Sequence, residues 1–193
     1  MKVSVLASFL FLFFAAVYAA KKKTNDEKEA EKAAKEAEKS AKRLTDLMGK
    51  ISSSPVVSLT DTTFNKFVVE RPREYHALLM FTATAKQYQC SVCLRAKAVF
   101  EEVAKYYQEQ YDFNSTSISQ RIAFFRIEVD DARNTFGEMQ LETVPRIYLL
   151  PPTNTSSPKM KVSDFEVEAG SMMQGASTAL EEITRTTGIK VRA

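Results

Sequence analysis

The sequence has no tryptophan, one histidine, two cysteines and five glycines among 193 residues. Each scarcity removes a class of function. Five glycines leave little from which to build a glycine-rich phosphate loop. A zinc site wants four ligands, usually Cys and His, and His76, Cys90 and Cys93 supply three at most. Charge of one sign is also missing: 27 Lys and Arg stand against 24 Asp and Glu. The net charge of +3 is too small for a nucleic-acid surface, and much of the excess lies near the N-terminus. After residue 20 there is no long apolar run. The longest, at 77–83 and 147–150, are strand-sized and far below the roughly 20 residues a membrane helix needs. No internal repeat is present.

What is present begins with a targeting signal. Lys2 is followed by an almost wholly apolar run from Val3 to Val17, then by Val17-Tyr18-Ala19, which has the small-x-small form of a signal-peptidase site. A cleaved signal peptide at 1–19 is expected; the competing reading is an uncleaved anchor. Asn114-Ser115-Thr116 and Asn154-Thr155-Ser156 match the acceptor pattern for N-linked glycan, and each lies in a Ser/Thr/Asn-rich stretch. Asn114 and Asn154 are therefore glycosylation candidates.

Residues 20–51 form a charge-dense segment. Ala30, Ala34, Ala37, Ala41, Leu44, Met48 and Ile51 recur at alternating steps of four and three, the spacing of one helix stripe. Lys and Glu interleave on the other faces. The stripe is mostly alanine until Leu44, which suits a solvated helix that docks by its last turns; a helix packed against a partner subunit is the sharper reading. Ser52-Ser53-Ser54-Pro55 breaks it, and a globular domain at 52–193 follows.

Within that domain, strands are expected at 56–59, 75–83, 122–129, 146–150 and 164–168. Helices are expected after Thr60 or Asp61, at 91–110, at 135–139 and at 175–187. Residues 75–83 are continuously apolar, as a central strand buried on both faces should be. The alternation implies an α/β fold with a mixed sheet and helices on both faces.

Cys90-Ser91-Val92-Cys93 follows the central strand and opens the 91–110 helix. A thiol at a helix N-terminus meets unpaired backbone N–H groups and the positive end of the helix dipole, both of which favour thiolate. Cys93, one turn on, can reach back to close a disulfide or to resolve a mixed one. Three other readings stay open: half of a zinc site, an inert structural disulfide, and two buried thiols. No metal and no cofactor is assigned. Val144-Pro145 lies just before the 146–150 strand, about 50 residues past Cys93. In the thioredoxin fold that location holds a cis-proline beside the active disulfide, and a cis bond is expected here; a trans proline opening a strand is the alternative.

With signal peptide, charged helix, strand–CxxC–helix and Val-Pro-strand in place, the chain resembles the thioredoxin-like oxidoreductase subunit family of the oligosaccharyltransferase complex. That family includes the magnesium-transporter and tumour-suppressor-candidate homologues. The resemblance is carried by residues 90–96, by the 125–130 strand Phe-Arg-Ile-Glu-Val-Asp, and by Thr143-Val144-Pro145-Arg146. It implies a domain in the endoplasmic reticulum lumen that captures cysteine-containing nascent polypeptides and assists N-glycosylation alongside other subunits, without transferring glycan itself. Cys90 would attack or receive a substrate cysteine, Cys93 would release it, and the substrate strand would lie near Val144 and Pro145. Family members continue into membrane spans, so attachment to the membrane is expected through segments outside this sequence or through partners. Two alternatives compete: a free-standing secretory oxidoreductase or isomerase, and a peptide-binding module without redox turnover.

Overall fold

The computed structural model describes the backbone from Ser4 to Ala193, and side chains from Lys28 onward except that of Ser171. Residues 1–3 of the expected signal peptide at 1–19 lie outside the described residues, and residues 4–19 are described as backbone alone. Two compact units divide at Lys42: Met1–Lys42 and Arg43–Ala193. The first is helical throughout its described length, as part of α1 (Ser4–Ser53). Its alanines at 30, 34, 37 and 41 are exposed. Lys35–Glu31 at 2.6 Å and Lys42–Glu38 at 2.7 Å are i,i+4 pairs on its surface, each worth only a few tenths of a kcal/mol. Among the described residues no helix is long and apolar enough to cross a membrane.

The second unit is built on one mixed sheet. Its strands are β1 (Val56–Leu59), β2 (His76–Thr82), β3 (Ile122–Glu128), β4 (Arg146–Leu150) and β5 (Glu166–Val167). The order across the sheet is β1-β3-β2-β4-β5. The first three are parallel, whereas β4 and β5 run antiparallel to their neighbours. The helices are α2 (Asp61–Phe64, continued by a π turn over Asn65–Val69), α3 (Ser91–Gln110), α4 (Arg133–Glu138), α5 (Ala169–Met173) and α6 (Ala176–Thr187). This is the thioredoxin-like α/β arrangement expected from the sequence.

The period of two in the strands distributes their side chains between two cores. Leu78 and Met80 of β2 join Phe100, Val103 and Tyr107 of α3 and Leu180 and Ile183 of α6 on one face. Ala77, Leu79 and Phe81 join Phe64 and Phe67 on the other, with Phe136 of α4 and Leu47 from the last turns of α1. All six residues of β2 after His76 are buried, as a strand covered on both faces requires.

Three elements differ from expectation. The strand expected at 164–168 is reduced to Glu166–Val167, because only Ile147 and Tyr148 pair with it, and Val162–Phe165 forms a 3-10 turn instead. The short helix α5 is not among the expected elements; its Met172 is buried in the α3/α6 core. Helix α4 starts two residues earlier than its local sequence suggests, for a reason that lies outside the segment.

Candidate active site at the head of helix α3

The chain leaves the buried end of β2 at Thr82 and reaches α3 through a loop containing a 3-10 turn at Lys86–Tyr88. Gln89 takes a left-handed conformation (φ 48°), which reverses the chain into the helix. The loop is tied to the end of β3. Thr84 donates to Glu128 from both its backbone N–H (2.9 Å) and its hydroxyl (2.6 Å). Gln87 Nε2 and the Tyr88 hydroxyl donate to Asp130 at 2.8 and 2.7 Å. The Tyr88 hydroxyl and Arg133 hold the Asp130 carboxyl below the usual carboxylate range.

Cys90 is the N-cap of α3. It forms a disulfide with Cys93, with Cα atoms 5.2 Å apart. The Cys93 backbone N–H donates to the Cys90 sulfur at 3.2 Å, the role a Ser or Asp oxygen commonly fills at this position. The two sulfurs are not equivalent: Cys93 is fully buried, whereas Cys90 is partly exposed. Beside them, Leu94 and Tyr88 expose 55% and 39% of their surface.

The Val144–Pro145 bond is cis. Strand pairing places it: Phe81 of β2 stands opposite Arg146 of β4, so Pro145 sits at the sheet end from which the Cys90 loop departs. Val144 and Pro145 are both partly exposed. The sheet thus brings Val144 and Pro145 to the same end as the dicysteine. Asn114 and Asn154 lie on exposed loops elsewhere.

His76 opens β2 at the opposite end of the strand, half-buried, with its backbone N–H donating to the Arg121 carbonyl at 2.8 Å. Burial lowers its pKa. Among the described residues no group of three or more His, Cys, Asp or Glu could hold a metal ion. The loop anchors Thr84, Glu128 and Tyr88 were not foreseen as parts of the site. Asp130 stood out only as an acidic residue following a strand.

Dolichyl-diphosphooligosaccharide–protein glycosyltransferase subunit 3 of Saccharomyces cerevisiae is 27% identical over 134 residues, covering 67% of this chain and 38% of that protein. The MAGT1 subunit of the same enzyme from Danio rerio is 24% identical over 168 residues, covering 85% of this chain and 48% of its own. The chain therefore spans less than half the length of these curated relatives. Among solved structures, chloroplastic thioredoxin z superposes with a TM-score of 0.44 at 16% identity, over 67% of this chain and 92% of that one. Human ERp44 in a zinc-bound form superposes with a TM-score of 0.49 at 15% identity, over 68% of this chain and 32% of that one. The family model described as the OST3 / OST6 family, transporter family, matches residues 43–193, and the chain belongs to that family.

Proposed function

We propose that this chain is a thioredoxin-like accessory subunit of an oligosaccharyltransferase, acting on the lumenal side of the endoplasmic reticulum, and that it holds nascent polypeptides by transient mixed disulfides. The observation that carries the reading is the asymmetric Cys90–Cys93 pair at the head of α3, with one sulfur reachable and the other buried. A client thiolate attacks the Cys90 sulfur, the bond to Cys93 breaks, and Cys93 leaves as a thiolate. The client is then bound to Cys90. Cys93 attacks the Cys90 sulfur in turn, re-forms the internal disulfide and releases the client thiolate. The cycle involves no net oxidation, so it captures and releases without an external oxidant.

The site supports each step. Cys90 caps α3 and Cys93 lies in its first turn, so the positive end of a 20-residue helix stabilises the thiolate that Cys93 becomes on leaving. Leu94 and Tyr88 offer apolar contact to residues flanking the client cysteine, and Val144 and Pro145 offer a backbone edge for an extended client segment. A client held this way folds later, and its acceptor asparagines stay accessible to the glycosylating subunit.

A reduced Cys93→Ser variant incubated with a peptide whose cysteine is capped as a disulfide with a small thiol should accumulate a mixed disulfide on Cys90 as the Cys90 thiolate displaces the small thiol, visible as a mass increase equal to the peptide and lost on reduction. Cys90→Ser should accumulate none. Absence of any adduct on Cys93→Ser would sink the proposal.

A further inference from the structure

The two sequons are not alike in the folded chain. Asn114 lies exposed in the turn at 113–116, between α3 and β3. Its backbone is pinned: the N–H donates to Asp112 Oδ1 at 3.1 Å, and the carbonyl accepts from the Arg121 guanidinium at 3.3 Å. Its side-chain amide makes no hydrogen bond among the described residues. At Asn154 the side-chain oxygen accepts from the Ser156 N–H and the Ser157 hydroxyl, both at 3.0 Å, which folds that amide back onto its own turn.

Asn114 also stands at the rim of a cavity. Met48 and Ile51 of α1, with Tyr111 and Phe113, form its apolar part, and Gln108 and Asp112 add polar groups. The Tyr111 ring is held in place by stacking on Tyr107, with centroids 5.1 Å apart, and by a hydrogen bond from its hydroxyl to the Lys190 carbonyl at 2.8 Å. The cavity volume is 220 Å³. That is smaller than the roughly 300–1,000 Å³ of drug-sized sites and suits a single sugar ring. Aromatic and aliphatic walls match the apolar face of a pyranose, while the Asp112 carboxylate and Gln108 amide can bond its hydroxyl and acetamido groups.

We propose that Asn114 carries an N-linked glycan and that the first sugar of this glycan rests in the cavity. The inference depends on the lumenal location proposed above. The donor is a lipid-pyrophosphate-linked oligosaccharide. The Asn114 side-chain nitrogen forms a bond to the anomeric carbon, the bond from that carbon to the pyrophosphate oxygen breaks, the lipid pyrophosphate leaves, and the amide gives up one proton. The acceptor amide at 114 is free to be taken up by the transferase, and the attached sugar has a preformed seat.

The full chain is expressed in eukaryotic cells that retain mannose-rich glycans, once with its own first 19 residues and once with an unrelated cleavable leader in their place. Peptide-N-glycosidase F treatment in ¹⁸O-water should mark Asn114, and Asn114→Gln should abolish the corresponding mobility shift. Endoglycosidase H, which cuts within the core next to the protein, should act at least tenfold more slowly on the native chain than on the unfolded one. Ser52→Trp fills the cavity from its exposed rim without removing core atoms, and should bring the two rates together. An unmarked Asn114 behind the unrelated leader overturns the modification site, and equal native and unfolded rates overturn the seated sugar. Marking behind the unrelated leader alone upholds the site and refutes instead the lumenal reading of the chain's own first residues.

Discussion

At the scale of single residues, the dicysteine and Arg73 show what a sequence displays and what it conceals. Cys90 and Cys93 are conspicuous because they are the only cysteines and because their flanks announce a strand and a helix. Arg73 is concealed within Arg71-Pro72-Arg73, which reads as the end of a helix. In the fold it is 2% exposed and donates to the backbone carbonyls of Tyr75 (3.4 Å), Pro151 (2.6 Å) and Val68. Its own backbone exchanges hydrogen bonds with Thr153 at 2.9 and 2.8 Å. Burial pulls the guanidinium down to about 10, still well above neutrality, so the charge persists and is met by carbonyl dipoles alone among its hydrogen bonds. No local pattern foretells a cation that ties the α2–β2 connection to the segment after β4. Replacing Arg73 with Ala strands three buried carbonyls and opens a cavity, which should cost about 3–5 kcal/mol. Arg73→Lys should recover little of this, because one ammonium cannot span carbonyls that the planar fork reaches together. Urea unfolding of both variants measures the two losses; a lysine variant as stable as the parent would refute the forked role.

At the scale of elements, the helix α4 is instructive. Its own sequence places a start near Thr135, yet it begins at Arg133. The N-cap position is Ala132, which has no side chain able to cap. The missing acceptor comes from 74 residues earlier in the chain. The Asp61 carboxylate accepts from the Thr135 backbone N–H at 2.8 Å, the Thr135 hydroxyl at 2.7 Å and the Asn134 N–H at 3.4 Å. Those bonds, led by the Thr135 hydroxyl, hold the Asp61 carboxyl below its ordinary range. A window of sequence around residue 135 contains none of this, whereas β1, α3 and β4, whose signals are local, fall where their sequences place them. Asp61→Ala should lower the melting temperature and expose the amides of Asn134 and Thr135 to faster hydrogen exchange. Asp61→Asn, which keeps one acceptor oxygen, should lie between the two. The sign of any pH effect follows from the lowered pKa. The stabilisation is complete above the ordinary carboxylate value near 4 and fades as pH falls below it, so the parent and Asp61→Ala melting curves should converge in acid. If Asp61→Ala leaves exchange at Thr135 unchanged, the long-range cap is not what starts the helix.

At the scale of the molecule, the question is where the folding unit begins. The run Ser52–Ser53–Ser54–Pro55 ends the helix in sequence, but among the described side chains burial starts about two and a half turns earlier. Arg43, 7% exposed, pairs with Glu70 at 3.0 Å and donates to the Pro72 carbonyl. Leu47 is completely buried in the core on that face of the sheet, with Leu44, Met48 and Ile51 packed around it. The division into compact units and the start of the family match fall together at residue 43. Upstream, the stripe is alanine, exposed, and supported by surface ion pairs that contribute little. A chain that begins at residue 43 should therefore melt within a degree or two of the full chain, and form the same Cys90-linked peptide adduct when Cys93 is Ser. A chain that begins at residue 54 loses Leu47 and its neighbours and should be destabilised by several kcal/mol, since Leu47→Ala alone removes a fully buried side chain at a cost of about 3 kcal/mol. Thermal melts of the three chains and of Leu47→Ala decide the matter. A stable chain from residue 54 would mean that the last turns of α1 merely lie on the sheet, and a chain from residue 43 that unfolds would mean that the charged helix contributes to the core through residues before Arg43.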